Sequence, residues 1–251
     1  MDAGALLPDA ISVATAGFLV AASIFTSAVT AAFGVGGGIM MLVLMGLFMP
    51  VAALIPVHGV VQLGSNAGRA FHMRKSTVPS MILPFAAGGI IGALAGGSVV
   101  TDLPEALLKT ILAIFIVVLT WVKLPPLPAA KSPLVFAIGG VISTALTMFI
   151  GATGPLVAAL MAKAFDTRQQ VVANSAVAMA IQHVLKVVVF GVLGFNLAPW
   201  LPLALAMIAS GYLGTMIGAR LLENMDEARF RFWFRIVVTV LAAELLRRAF
   251  S

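Results

Sequence analysis

Apolar residues fall in ten runs, at about 11–32, 38–49, 51–72, 79–100, 105–122, 133–150, 155–165, 168–193, 199–219 and 230–249, divided by charges, prolines or glycines. A helical bilayer crossing takes roughly 20 residues at about 1.5 Å of rise each. Most of the runs approach that length, but 38–49 and 155–165 do not. Each short run follows a breaker, Gly34-Val35-Gly36-Gly37-Gly38 in one case and Gly151-Ala152-Thr153-Gly154-Pro155 in the other. Glycine and proline interrupt the helical ladder, and lipid tolerates freed backbone groups only where protein or a watery cavity meets them. Both breaks are therefore expected at a buried site, each short helix forming a broken pair with the helix before it.

Aligning Phe33-Gly34-Val35-Gly36-Gly37-Gly38 with Phe149-Ile150-Gly151-Ala152-Thr153-Gly154 pairs His58 with Asn174 and Asn66 with Gln182, and brings Arg69 within one residue of Lys186. Further on, Gly89, Gly92 and Gly96 match Gly211, Gly214 and Gly218. This is a tandem duplication, with residues 1–123 as the first membrane repeat, a Pro-rich linker at 124–132, and residues 133–251 as the second repeat. The predicted fold is an all-α polytopic membrane protein, each repeat a glycine-broken helix pair followed by three spanning helices.

Charge sets the topology. If each broken pair returns to the side it came from, one side receives Arg74, Lys75, Lys123, Lys131, Lys163, Arg168, Arg220, Arg229 and Arg231, and the other keeps Lys109, Arg247 and Arg248. The positive-inside rule favours this arrangement over single crossings, which split the same residues almost evenly, and it puts both termini outside. Each half then makes an odd number of crossings, so the two repeats are expected to be inverted. Inverted repeats with paired broken helices point to a secondary transporter with its substrate site near midplane.

The chain is 61% hydrophobic and 10% charged, which excludes a water-soluble globule. Its net charge of +6 resides in basic pairs between apolar runs, so the excess reads as membrane topology and nucleic acid is not an expected partner. With no cysteine, disulfides and thiolate metal sites are excluded. The opening MDAGALLPDA lacks the basic start of a cleavable signal, so the first apolar run is expected to be retained. The GVGGG string lacks the Gly-Lys-Ser/Thr that completes a phosphate-binding loop. No cofactor is expected.

Within the third run, His58, Gln62, Ser65, Asn66 and Arg69 recur on one helical face. In the eighth, Ser175, Gln182 and Lys186 share a face, with Asn174 and His183 on its flanks. Charges at this depth cost a few kcal/mol and tend to face a bundle interior or a watery path. The acids Asp102, Glu105, Asp166, Glu223, Asp226, Glu227 and Glu244 lie near run ends, so Arg69 and Lys186 face helix N-termini at Gly38 and Pro155 without an intramembrane carboxylate. That combination describes a cavity for a small anion. His58 and His183 are candidate proton carriers, since histidine titrates near neutral pH, and without further ligands they do not make a metal site. Ser65 near His58 and His72 offers an intramembrane serine hydrolase as an alternative, but the spacing is not a nucleophile elbow and no acid orients either histidine. An anion channel is the other alternative, since paired breaks suit one equally.

These residues together resemble the TauE/SafE sulfite exporter family. The resemblance rests on Phe33-Gly34-Val35-Gly36-Gly37-Gly38, on Pro56, His58 and Asn66, and on Gly151-Ala152-Thr153-Gly154-Pro155 followed by Asn174, and it covers essentially the whole chain. It implies a bacterial inner-membrane permease for sulfur-containing anions such as sulfite and small organosulfonates. The first motif departs from the family pattern, with Ile39-Met40-Met41 where a proline usually follows the glycines; Pro155 keeps that proline in the second half. On this reading backbone N–H groups of Gly36, Gly37, Gly38, Thr153 and Gly154 hold the oxyanion and Arg69 and Lys186 supply charge. His58, Gln62, Asn66, Asn174 and Gln182 complete the expected substrate site.

Overall fold

In the computed structural model, which describes residues 7–33, 36–100, 104–122, 132–221 and 227–250, the ten apolar runs are helices. The first half contains α1 (Val13–Phe33), α2 (Gly37–Gly46), α3 (Val51–His72), α4 (Pro79–Val100) and α5 (Glu105–Trp121). The second contains α6 (Pro133–Ile150), α7 (Gly154–Ala164), α8 (Arg168–Val192), α9 (Leu201–Leu221) and α10 (Glu227–Arg247). Helix ends lie within 3 residues of those expected from the apolar pattern. Gly34, Val35 and the Pro-rich linker, apart from Ser132, lie outside the described residues.

Helices α1, α4, α6, α8 and α9 contain segments long and apolar enough to cross a membrane. Helix α3 has the length, at 22 residues, but its polar face lowers its hydropathy. Such a helix is stable in a bilayer only with that face turned inward. His58 and Asn66 are indeed buried. The short α2 is enclosed: Met41, Leu42, Val43 and Met45 pack with Leu54 of α3, Leu112 of α5, Met207 of α9 and Leu245 of α10. The short α7 packs Val157 and Met161 with Phe85 of α4, Phe136 of α6 and Met179 of α8. Leucines and isoleucines such as Leu83, Leu94, Ile142 and Leu213 face outward, as a lipid-facing surface requires.

Helix directions follow from which residues meet. Gly88, Gly92 and Gly96 of α4 lie where a Cβ would overlap the carbonyl oxygens of Ala137, Val141 and Ala145 of α6, and the rising numbers make the two helices parallel. The same is true of α1 and α9, where Ser210 Oγ donates to Val20 O (2.8 Å) and Gly214 sits on the carbonyl of Ile24. The two seams are alike. Gly92 and Gly214 occupy matching places, and where α4 has Gly88 pressed on a carbonyl, α9 has Ser210 bonded to one. Small residues that let backbones approach are the usual means of packing helices in lipid.

Helices α4 and α8 are also parallel, with Gly89 near Leu185 and Gly97 near Val189. Helices α3 and α8 are antiparallel. Gly59 lies against the Lys186 stem, while just beyond α3 the Val78 N–H donates to Asn174 Oδ1 (2.8 Å). Helices α5 and α10 are antiparallel too. Trp121 Nε1 donates to Thr239 Oγ1 (2.8 Å) at one end, and Glu105, Lys109, Arg247 and Arg248 share a pocket at the other. Lys109 and the C-terminal arginines thus lie on one side, whereas the loop carrying Arg74 and Lys75 is bound to the N-terminal part of α8 by Asn174.

Candidate functional site

Each break is shaped by the residues before it. Gly36 has φ +107°, a conformation that side-chain-bearing residues rarely adopt, and it starts α2 by accepting from the Met40 N–H (3.0 Å). A Cβ on Gly37 would collide with Thr26 O and Thr30 Oγ1, so α2 is seated directly on the end of α1. His58 Nε2 lies 3.0 Å from Gly38 O, and because a carbonyl only accepts, this nitrogen carries the proton. The second break turns at Gly151, φ +77°, whose carbonyl accepts from Lys186 Nζ (2.8 Å) and Thr147 Oγ1 (3.2 Å). Helix α7 then starts at Gly154, with Pro155 in the first turn, where its missing N–H costs nothing. The Gly37 and Gly38 amides of α2 and the Gly154 amide of α7 have no intrahelical acceptor, whereas the Leu156 N–H already turns back to Thr153 O (3.0 Å) and Pro155 has no N–H.

The two breaks face each other across a small cavity of about 40 Å³. Gly36, Gly38, Ile39 and Thr30 line it from the first break, and Ala152, Thr153, Gly154 and Pro155 from the second. Helix α3 contributes His58, Gln62 and Asn66; helix α8 contributes Met179, Gln182 and His183. No carboxylate is among these lining residues.

Of the residues expected from sequence to form the site, Gly36, Gly38, His58, Gln62, Asn66, Thr153, Gly154, Gln182 and His183 are brought together here. Gly37 lies behind the wall, against α1. Lys186 does not line the cavity: it is 0% exposed, its stem runs along Gly59 of α3 and its ammonium is spent on the Gly151 carbonyl. Asn174 is tied to the loop after α3, donating to Ser76 O (3.2 Å) as well as accepting from Val78. Arg69 lies half-buried beyond the cavity along α3, with no hydrogen bond or ion pair to any described residue.

Gln182 is held in place. Its Nε2 donates to Ser143 Oγ (2.8 Å) and Thr144 Oγ1 (3.3 Å), and its Oε1 accepts from Thr153 Oγ1 (3.3 Å). Sequence reasoning missed this hydroxyl support, and missed Thr30. The signal existed: hydroxyl residues stand four apart just before each break, Thr26 and Thr30 in α1, Ser143 and Thr147 in α6. Ala152 and Pro155 belong to the second breaker itself, whereas Ile39, in the first turn of α2, and Met179, within α8, are apolar residues that carry no such signal.

Among the described residues, five buried side-chain atoms lack a hydrogen-bond partner: His58 Nδ1, Asn66 Oδ1, His183 Nδ1, Thr77 Oγ1 and Ser175 Oγ. The first three belong to cavity residues, although buried polar groups are ordinarily satisfied because leaving one unmade costs about 1–3 kcal/mol. The Gln62 amide likewise has no partner among the described residues. Ser65, in contrast, neither lines the cavity nor bonds to a histidine. No cluster of three or more His, Cys, Asp or Glu suited to a metal occurs among the described residues. Chemically, the arrangement offers converging backbone N–H groups, unpaired polar side chains and no negative charge.

The profile of the protein family described as Sulfite exporter TauE/SafE matches residues 19–245. No curated protein and no solved structure matches the chain significantly.

Proposed function

The chain belongs to the Sulfite exporter TauE/SafE family, and on that premise we propose that it moves a small sulfur-containing anion, sulfite or an organosulfonate, by alternating access through the cavity between the breaks. The observation that carries this reading is the convergence of two helix N-termini on one cavity that no carboxylate lines. Each N-terminus presents free N–H groups and the positive end of a helix dipole, so two of them favour an oxyanion.

The amides of Gly36 to Gly38 and of Thr153 and Gly154 bind the oxyanion, and Gln62 and the clamped Gln182 define its orientation. Lys186 acts from behind, fixing the second break through Gly151 O and adding positive charge to the site. Arg69, with no partner among the described residues, is the cation of α3 that lies between the basic loop and the cavity. Asn174 acts at that same side, joining the loop after α3 to α8.

The helix directions support two inverted repeats, 1–123 and 133–251: α4 runs with α6 and α1 with α9, while α3 opposes α8 and α5 opposes α10. With the basic loops cytoplasmic, both termini are periplasmic in a bacterial inner membrane. A negative-inside potential opposes anion entry by about 2.3 kcal/mol per charge per 100 mV, so export of an uncoupled anion is downhill electrically.

The test is the thermal stability of detergent-purified protein in sulfite, sulfoacetate, methanesulfonate, sulfate, phosphate, acetate and chloride. A ligand at 100 times its Kd stabilises the native state by about 2.7 kcal/mol. Sulfite or a sulfonate is expected to raise the midpoint and chloride to leave it unmoved. Equal midpoints in all seven anions would remove the substrate assignment.

A further inference from the structure

Histidine pairs buried in a membrane cavity are costly unless they have a task. Here His58 and His183 are 0% and 5% exposed, their rings meet edge-on with centroids 6.1 Å apart, and both line the cavity. We infer that the site takes up one proton with each anion, and that the His58–His183 pair carries it. This inference rests on the reading of the cavity as the anion site and adds a second transported species to it.

His58 gives its single neutral-state proton, on Nε2, to the Gly38 carbonyl. Its Nδ1 is then a lone pair, buried and without a partner, and the carbonyl of Gly151 also bears on the ring. A sulfite or sulfonate oxygen is an acceptor as well. A lone pair and an anionic oxygen cannot satisfy each other, but one proton placed on Nδ1 turns it into a charge-assisted donor to the anion. Anion and proton therefore each strengthen the binding of the other, as linkage requires. His183, whose Nδ1 is also unpartnered, gives the proton a second position within the cavity.

The surrounding charges limit the uptake to one proton. From α8, Lys186 is close enough to act on both imidazoles, and His58 acts on His183. Helices α2, α4 and α6 carry no titratable side chain, α9 carries only Tyr212, exposed, and Arg220 near its far end, and Lys163 of α7 stands in its last turn. Glu105 and Lys109 of α5 pair with each other at 3.0 Å in the pocket shared with Arg247 and Arg248. Arg69, on α3 itself, is a further cation. With no carboxylate lining the cavity to neutralise it, a second imidazolium beside the first and beside Lys186 is disfavoured, whereas the incoming monoanion balances a first one. A monoanion and a proton crossing together move no net charge.

The test uses calorimetric titration of the purified full chain with sulfite and with methanesulfonate, in buffers of different ionisation enthalpy. Methanesulfonate has no proton to exchange, so any uptake belongs to the protein. The wild type is expected to take up about one proton per anion at neutral pH, with affinity falling about tenfold per pH unit above the pair's titration range. His58→Gln keeps a donor for Gly38 but cannot be protonated, and should bind more weakly with no uptake and flat pH dependence. Binding without proton uptake by the wild type, or uptake retained in His58→Gln, overturns the inference while the anion site stands. Failure of both anions to bind overturns the anion site and this inference with it. Should the variant not fold, the wild-type count still decides.

Discussion

Lys186→Met is expected to lower sulfite flux by one to two orders of magnitude in protein that still folds. The ammonium is wholly buried and bonded to Gly151 O at 2.8 Å, at the turn from which Thr153 and Gly154 enter the cavity. A hydrogen bond to a charged group contributes about 1.5–3 kcal/mol, or roughly 10-fold to 150-fold. That is the magnitude expected in anion affinity, since both the fixed geometry of the break and its positive charge are lost. Folding should suffer less. Met fills the same path along Gly59, Thr147 still donates to Gly151 O, and removing a buried charge relieves its desolvation. Flux in reconstituted vesicles, read beside the unfolding midpoint, checks both halves. A collapsed midpoint with normal residual flux would make Lys186 purely structural.

Gly92→Ala should destabilise the protein by about 3 kcal/mol, at the upper end of ordinary overpacking. The new Cβ would overlap Val141 O and meet Ala145 N at 3.0 Å, and both are backbone atoms that no rotamer change can move aside. Helices α4 and α6, parallel and in close contact along three glycines, must then separate. Gly17→Ala is the control: nothing lies within 4 Å of its Cβ, so the substitution should stabilise α1 by the roughly 0.5–1 kcal/mol that alanine holds over glycine in a helix. Denaturant or thermal unfolding in detergent measures the difference. Equal stabilities for the two variants would contradict the seam described between the halves.

The spans and both breaks were legible because lipid imposes a severe rule: apolar runs become helices and interrupted backbone must be sheltered. The polar face of α3 was legible for the same reason, and His58, Gln62 and Asn66 do line the cavity. Periodicity on α8 was a weaker guide. It placed Asn174 and Lys186 on the side of the helix that meets the first half, but their distance along α8 decides what they touch, and the backbones of Ser76, Val78 and Gly151 take them up before the cavity can. The sequence alignment of the two halves paired His58 with Asn174, yet one bonds a helix N-terminus and the other a loop. Thr30, Ser143 and Thr144 were passed over because serine and threonine in membrane helices usually bond their own backbone, as Thr30 and Ser143 also do here.

Binding of a small oxyanion between the two broken helices can be measured as counterflow of radiolabelled sulfite into proteoliposomes holding either the wild type or Gly38→Leu. A Cβ on Gly38 stands 3.3 Å from Gln62 Oε1, so the leucine side chain enters the cavity rather than the packed wall, and α2 retains its seat on α1. The wild type should show saturable counterflow that Gly38→Leu abolishes with its unfolding midpoint preserved. Counterflow of undiminished rate and affinity in the folded variant would mean that the anion does not bind between the two breaks.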